Sequence, residues 1–284
     1  MDRIWERFVA LGDSFTEGLS DPDPVVPDRY VGWADRLAAR LGQRNAARGR
    51  PFGYANLAIR GLTLTQVIET QLEAALDLTP DLVSFVAGGN DYLRVSVDQD
   101  AVADQLEEAI AQLRESGADV LVVTAPNLSE QPVVRAITGR MAVYNANLWG
   151  IAQRHGCFVV DIWSMRTLRD SAMWSPDRIH FSTEGHRRVA AQAALTLRIE
   201  GADETDWGRP YTPATRLTRI ASLNANRAWA AEHLAPWVAA RVRGRAAGAG
   251  IEPKRPLIEP VEPLEPTGPI GVDSPAPREP TDAG

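Results

Sequence analysis

Near its N-terminus the chain reads Phe8-Val9-Ala10-Leu11-Gly12-Asp13-Ser14-Phe15-Thr16-Glu17-Gly18, an apolar run that leads through a glycine into a polar loop. The run at residues 8–11 has the length and composition of a buried strand, and the glycine marks a turn. In α/β sheets, ligand sites form at the loops that leave the carboxyl ends of strands. We therefore expect Ser14 at such an edge, either as an exposed nucleophile or as a turn or helix-capping residue.

Further apolar runs of strand length follow along the chain, at residues 82–87, 120–124 and 158–162, and residues 54–58 form a weaker strand pattern. Stretches with the helical spacing of apolar residues alternate with them, at residues 33–41, 64–76, 102–113, 133–154 and 183–199. Strands that alternate with helices form parallel sheets, because a parallel connection needs a long crossover. The pattern predicts an α/β fold, a three-layer α/β/α sandwich around a five-stranded parallel sheet.

The chain divides into three predicted parts. Residues 1–200 contain all of the predicted strands. Residues 201–244 are predicted to be a helical extension, because apolar residues recur at helical spacing from 215 to 243, and Pro236 divides that stretch into two helices. Residues 245–284 contain nine prolines and few apolar residues. Such a segment cannot bury enough surface to offset its ordering entropy, so we expect a disordered or polyproline-like tail.

The composition excludes several classes of function. Of the 284 residues, 44% are hydrophobic and 24% are charged, which is ordinary for a globular protein. The net charge of −7 argues against a nucleic-acid partner, which would require a basic surface. The single cysteine, Cys157, can form neither an intrachain disulfide nor a cysteine-based metal centre. Lys254 is the only lysine among 30 basic residues, and the sequence alone assigns no function to it.

The sequence also bears on membranes and on location. The N-terminal residues lack the apolar core of a signal peptide, and no apolar stretch approaches the ~20 residues needed to span a bilayer. We therefore expect a cytoplasmic protein without stable membrane insertion.

The glycine loop at Ser14 does not fit the common nucleotide-binding patterns. Neither G-x-G-x-x-G nor G-x-x-x-x-G-K-[ST] is present, so a dinucleotide site and a P-loop are excluded. The serine does not lie in G-x-S-x-G, so the nucleophile elbow of the α/β hydrolases is not its template either.

Four histidines could supply the base that a serine nucleophile needs. For His155, His186 and His233, which lie in or beside helical patterns, a solvated or packed side chain is the simpler interpretation. His180 lies instead in the loop Asp177-Arg178-Ile179-His180, between the last strand and the last helix. Asp177 could curl back to accept one imidazole N–H and leave the other nitrogen free for the serine proton. Taken alone, the pattern is equally well explained by a surface loop beside a helix cap.

Two further strand ends offer hydrogen-bond donors for the oxyanion of a tetrahedral intermediate. Gly61 follows the second predicted strand, and its backbone N–H can be approached without obstruction. Asn90 follows the third strand in Gly88-Gly89-Asn90-Asp91 and offers a side-chain amide. Taken singly, each is an ordinary turn residue.

Together these blocks resemble the SGNH hydrolases, also called GDSL esterases and lipases. The four residues of the family name correspond, in family order, to Ser14, Gly61, Asn90 and His180. The resemblance implies that Ser14 is the nucleophile, that His180 is the base and later the acid, and that Asp177 orients it. It also implies an oxyanion hole formed by the backbone N–H groups of Ser14 and Gly61 and the side chain of Asn90.

The resemblance covers about residues 7–199 and implies an SGNH/flavodoxin-like sheet. It gives Asp13 and Asp91 the task of bracing the loops rather than of reacting. Phe15 stands where the short family name carries a leucine, a change that many members share.

The function implied by the resemblance is hydrolysis of carboxylic esters through a covalent acyl-enzyme. The partner would be a small-molecule ester, with no metal and no cofactor. The same residues would also serve a lipase, a thioesterase, a polysaccharide deacetylase or an acyltransferase. Because segment 19–33 is crowded with aspartates and prolines, we expect a small polar entrance and short acyl chains, of about two to six carbons by analogy with the family.

Two alternatives concern the C-terminal part. The apolar side of residues 215–242 could form a lid or a membrane-surface helix, or it could pack on the first domain or on a second copy of the chain in a homo-oligomer. The proline-rich tail could bind a partner protein, in a non-catalytic interaction protein or beside catalysis.

Overall fold

The computed structural model describes residues 3–94, 96–130, 135–199 and 250–261. In these residues the chain forms an α/β fold around one six-stranded sheet. The predicted helical extension at 201–244 and the tail after residue 261 lie outside them.

The sheet has five parallel strands and one antiparallel strand. They are β1 (Arg7–Gly12), β2 (Gly53–Asn56), β3 (Leu82–Val86), β4 (Asp119–Val123), β5 (Phe158–Val160) and β6 (Arg255–Pro260). The order across the sheet is β5-β4-β3-β1-β2-β6, and only β6 runs antiparallel to its neighbour. The predicted α/β class with parallel strands is confirmed, with one strand more than the five expected.

Helices cover both faces of this sheet. They are α1 (Ser14–Glu17), α2 (Gly32–Ala46), α3 (Leu64–Val67), α4 (Glu73–Asp77), α5 (Gly89–Tyr92), α6 (Gln99–Glu115), α7 (Thr138–His155) and α8 (Thr183–Thr196). A π-helical turn, Ile68–Leu72, joins α3 to α4. Helix α2 packs against α8, while α6 contacts α3 and α7. This division into two layers is what right-handed crossovers produce.

Strand β1 lies near the middle of the sheet, between β2 and β3. Its residues 8–11 are fully buried, and the run is apolar without alternation because helices cover both faces. The chain passes from β1 to β2 on one side and then crosses to β3 on the other. Ligands of open α/β sheets bind where the strand order reverses in this way, so the loops after β1 and β3 are the first place to look for a site.

Strand β6 corrects the prediction of a disordered or polyproline-like tail, which is wrong for residues 250–261. β6 pairs with β2 and covers what would otherwise be an exposed strand edge. Pro256 and Pro260 fit because β6 is itself an edge strand, whose outer side needs no donors. Gly53 of β2 leaves room for the strand, since a Cβ there would come within 2.4 Å of the Ile258 side chain.

Among the described residues, every helix is too short or too polar to cross a bilayer.

Candidate active site

The loops after β1, β2 and β3 and the loop before α8 meet at the carboxyl edge of the sheet. They bring Ser14, Gly61, Asn90 and His180 to the wall of one cavity of about 440 Å³. These residues are far apart in the sequence, and the order of the parallel strands in the sheet places their loops side by side.

The position of Ser14 depends on the two residues before it. Gly12 has φ 155° and a Cβ there would lie 2.5 Å from the Val86 carbonyl oxygen, so no side chain fits. Gln71, from the π-helical turn, binds both the N–H and the carbonyl of Gly12, at 2.8 and 2.9 Å. Asp13 then caps α1 by accepting from the Phe15 N–H at 3.1 Å. Ser14 is therefore the first residue of a one-turn helix whose start is fixed from two sides.

A continuous line of contacts connects Ser14, His180 and Asp177. Ser14 Oγ lies 3.0 Å from His180 Nε2, and His180 Nδ1 lies 2.6 Å from Asp177 Oδ2. The second oxygen of Asp177 accepts from the backbone N–H groups of Ile179 and His180, at 2.9 and 3.0 Å, and from the Ser175 hydroxyl. The D-x-x-H loop thus closes as a turn around its own aspartate, as the sequence spacing allows.

The electrostatics of Asp177 favour its ionised form. Burial by itself would raise the pKa of this carboxyl group. The hydrogen bond and positive charge of His180, the backbone donors and the Ser175 hydroxyl outweigh burial and hold the pKa well below its usual range. Asp177 is therefore charged at neutral pH and can stabilise an imidazolium at His180.

Donors for an oxyanion lie beside Ser14. The backbone N–H groups of Ser14 and Gly61 donate to no described residue. Gly61 has φ 79°, a conformation that favours glycine. Asn90 also lines the cavity, and its amide nitrogen donates to Asp13 Oδ2 at 3.0 Å and to the Leu62 carbonyl at 2.9 Å. Both amide hydrogens of Asn90 thus have partners before any substrate is bound.

The two aspartates expected to brace the loops make contacts of that kind. Asp13 joins the start of α1 to Asn90 through its two oxygens. Asp91 Oδ2 accepts from the Leu64 N–H at 2.8 Å, which ties α5 to the start of α3.

Among the described residues, His155 and His186 have different partners from His180. His186 is 1% exposed, stacks on Phe15 and has Nε2 3.3 Å from the Leu19 carbonyl oxygen. Burial lowers the pKa of His186 to about 4, so its ring is neutral near pH 7. His155 pairs with Glu107 at the end of α7. His233 lies outside the described residues.

Sequence reasoning missed a buried ion pair that connects two of the loops. Glu17, at the end of α1, is 5% exposed and accepts from the Arg60 N–H at 2.7 Å and from the Arg60 guanidinium. Arg60 directly precedes Gly61 and also lies over the Tyr30 ring. The sequence feature that could have indicated this pair is Glu17 itself, an acidic residue in a segment that glycines flank on both sides.

The described part of the chain contains neither a candidate metal site nor a reactive cysteine. No cluster of three or more His, Cys, Asp or Glu side chains there could hold a metal ion. Cys157 is half-buried, and burial raises the pKa of its thiol to about 11, which keeps it protonated and unreactive.

The cavity beside these residues is mainly apolar in its lining. One wall consists of aliphatic side chains from the ends of β3 and β4, from the segment after β5 and from the start of α7, namely Val86, Val123, Leu128, Ile137, Met141 and Ile162. Of the polar segment 19–33, only Leu19 reaches the cavity. Asp21 is instead buried against Arg36, and Asp23 pairs with Arg29.

Residues 10–188 match the GDSL-like lipase/acylhydrolase family. The matched range contains every candidate site residue described above. No curated protein matches the chain.

Three solved structures illustrate the similarity of the fold. LAE5, an α/β hydrolase enzyme from the metagenome of Lake Arreo, Spain, is 23% identical with a TM-score of 0.58, over 68% of this chain and 95% of its own. Axe2, an acetylxylan esterase from Geobacillus stearothermophilus, is 20% identical with a TM-score of 0.57, over 72% and 97%. TesA is 22% identical with a TM-score of 0.54, over 68% and 98%. At these identities the likeness shows a shared fold.

Proposed function

Because the chain belongs to the GDSL-like lipase/acylhydrolase family, it is a carboxylic ester hydrolase, and we propose that Ser14, His180 and Asp177 are its catalytic triad. The observation that carries this proposal is the line of contacts from Ser14 Oγ through the His180 ring to the Asp177 carboxylate. Nucleophile, base and orienting acid stand in the order that serine hydrolysis needs.

In the proposed first half-reaction, Ser14 Oγ attacks the carbonyl carbon of the ester while His180 Nε2 takes the hydroxyl proton. Asp177 accepts the Nδ1 hydrogen, which fixes the tautomer of His180 and stabilises its charged form. The bond to the alcohol oxygen then breaks as His180 returns the proton to that oxygen. The alcohol leaves, and the acyl group remains on Ser14.

The second half-reaction uses the same groups with water. His180 takes a proton from a water molecule, whose oxygen adds to the acyl carbon. Ser14 Oγ departs and regains its proton from His180, so the carboxylic acid is released and the enzyme returns to its starting state. No metal or cofactor enters either step.

The oxyanion of both tetrahedral intermediates is proposed to bind the backbone N–H groups of Ser14 and Gly61 and the amide of Asn90. Asn90 reaches the oxyanion by redirecting or sharing a hydrogen now bound to Asp13 or Leu62. Asp13 and Asp91 are proposed to hold these loops in register.

The cavity changes the expected size of the acyl group. The prediction of short chains rested on the polar residues of segment 19–33, none of which lines the cavity, and two of them, Asp21 and Asp23, form ion pairs with Arg36 and Arg29. An acetyl group would leave most of the apolar wall in contact with water. We propose that the apolar wall admits acyl groups of up to about ten carbons, beyond the two to six carbons expected from the sequence, because the cavity is in the usual ligand-binding size range.

Two variants test the proposed nucleophile. Ser14→Ala should abolish ester cleavage, because the acyl-enzyme needs the hydroxyl, and should leave the fold intact. A fluorophosphonate probe should label the wild type and the control variant Ser129→Ala but not Ser14→Ala. Labelling of Ser14→Ala at another serine would show that Ser14 is not the nucleophile.

The acyl preference is tested with p-nitrophenyl esters from acetyl to dodecanoyl. Met141→Trp should narrow the cavity and move the optimum to shorter chains, whereas Val143→Trp, on the exposed side of the same helix, should not. An acetyl optimum in the wild type would restore the short-chain prediction and assign the apolar wall to the alcohol.

A cytoplasmic location and self-association through residues 201–244 stay predictions. Subcellular fractionation and the mass of the full chain in solution would test them.

A further inference from the structure

The only lysine of the chain is buried and reaches toward the helix that carries Ser14. Lys254 directly precedes β6, and its side chain is 11% exposed. Its Nζ lies 2.6 Å from the Glu17 carbonyl oxygen, 2.9 Å from that of Tyr30 and 2.8 Å from that of Val31. The fourth partner is Asp35 Oδ2, at 2.6 Å.

This arrangement is a complete binding site for an ammonium group. A lysine carries three hydrogens, and here four oxygens surround it, so every hydrogen has a partner and one is shared. Asp35 supplies the counter-charge that a buried cation needs. The ammonium group of an exposed lysine makes its hydrogen bonds to water. Because the Lys254 ammonium binds four protein oxygens instead, its side chain has a fixed position in the structure.

The acceptors belong to two chain segments at the point where they touch. Glu17 ends α1, while Tyr30 and Val31 lead into α2. The next residues, Gly18 and Gly32, pack backbone to backbone, and a Cβ on Gly18 would lie 2.6 Å from the Gly32 Cα. Lys254 therefore binds carbonyl groups of both segments at the point where α1 and the start of α2 are closest.

Helix α1 is too short to be fixed by its own hydrogen bonds. It has four residues, so its length is about 6 Å and a shift at its end moves Ser14 at its start. Its last carbonyl groups find donors outside the helix, from Asn56 for Thr16 and from Lys254 for Glu17. The Glu17 side chain is held separately by Arg60.

We propose that Lys254 is a positioning residue, whose ammonium group fixes the end of α1 and thereby keeps Ser14 Oγ within hydrogen-bond distance of His180. The inference rests on the proposed function of Ser14 as nucleophile. Lys254 does not touch the reacting atoms and acts only through α1. Strand β6, which follows it, holds the lysine in place by pairing with β2.

The test compares Lys254→Met with Ile258→Ala in the full chain. The first removes the ammonium and keeps the apolar stem, and the second weakens the packing of β6 on Gly53 and leaves the ammonium in place. Lys254→Met should lower kcat at least tenfold with KM within about twofold, because small misplacements of reacting groups reduce turnover far more than binding. Ile258→Ala should keep kcat within about twofold of the wild type.

A double variant separates positioning from charge burial. Lys254→Met leaves Asp35 buried without its partner, which could unfold the protein, whereas Asp35→Leu/Lys254→Met removes both charges and should fold. The kcat loss should persist in the double variant, because Glu17, Tyr30 and Val31 still lack their donor. Restored kcat in the double variant would overturn the proposal, as would unchanged kcat, a rise in KM alone in Lys254→Met, or an equal loss in Ile258→Ala.

Hydrogen exchange gives a readout independent of turnover. Amides of residues 16–19 should exchange about tenfold faster in the double variant than in the wild type, while those of α8 stay unchanged. If the wild type shows no Ser14-dependent cleavage, the proposed function fails by itself. The exchange rates then decide the inference, and unchanged rates at residues 16–19 overturn it.

Discussion

Asn90 connects two parts of the site that have different tasks. It lines the same cavity as Ser14, and its amide nitrogen donates to Asp13, which caps α1. A residue with both contacts can stabilise the oxyanion and can hold the loop that carries the nucleophile. The two tasks differ in the kinetic constant that they affect.

We predict that Asn90→Ala lowers kcat by about 10² to 10³ with little change in KM. The physical reason is that a preorganised donor binds the developing oxyanion more strongly than the neutral carbonyl of the ground state. Steady-state kinetics on one ester measure both constants. A rise in KM at constant kcat would instead make Asn90 a residue for ground-state binding.

His186 is a buried neutral side chain that lowers the free energy of unfolding only at acidic pH. The pKa of its ring is about 4 in the folded protein, below the ~6.5 of an exposed histidine. Between these values the unfolded chain binds a proton that the folded chain does not. The free energy of unfolding therefore falls as the pH drops from about 6.5 to 4, by roughly 1.4 kcal/mol per pH unit, and is unaffected by this group above that window.

We predict that His186→Gln flattens this acid loss. Glutamine can still donate a hydrogen bond to the Leu19 carbonyl, but its side chain does not titrate between pH 4 and 7. Urea unfolding at pH 7, 6, 5 and 4 measures the slope for the wild type, for His186→Gln and for the control His155→Gln on the surface of α7. An unchanged slope in His186→Gln would show that other groups dominate acid unfolding.

At the scale of elements, the strands differ in how clearly their sequences indicate them. β1, β3 and β4 were predictable because each is a short apolar run with mostly buried residues. β2 and β5 are weaker cases, since β2 contains Asn56 and β5 is a partly buried edge strand. β6 was not predictable, because it holds two prolines, exposes Leu257 and owes its conformation to pairing with β2, some 200 residues earlier. Pairing with a distant partner leaves no periodic trace in the local sequence.

The role of β6 predicts different outcomes for two truncations. Removal of residues 262–284 should leave the thermal midpoint and kcat unchanged, because this proline-rich stretch has few apolar side chains to bury. Removal of residues 250–284 exposes the edge of β2 and breaks the Lys254–Asp35 pair. We expect the midpoint to fall by about 5–15 °C, because loss of one partner of a buried ion pair costs about 3–5 kcal/mol.

Differential scanning calorimetry and ester turnover measured on both truncations decide the matter. Equal midpoints for the two chains would mean that β6 contributes nothing to stability, and its pairing with β2 would then be incidental.

At the scale of the whole molecule, the candidate site was easier to predict than its supports. Ser14, Gly61, Asn90 and His180 could be found because each follows a predicted strand or precedes a predicted helix, and parallel strands bring such loops to one edge. The supports from Gln71 and Lys254 bind backbone atoms. Any residue type offers the same carbonyl group, so no sequence pattern marks the partner.

The contact between Lys254 and Glu17 also sets an order of events during synthesis. The two residues are 237 positions apart, and ribosomes add about 5–20 residues per second, so roughly 10 to 50 seconds separate their appearance. The residues of the proposed triad are all synthesised before residue 181, whereas Lys254, which binds the end of α1, is synthesised later. A chain that ends at a premature stop after α8 would contain every residue of the proposed triad but would lack the Lys254 contact that holds the end of α1. Such incomplete chains should therefore have much lower esterase activity than the full chain.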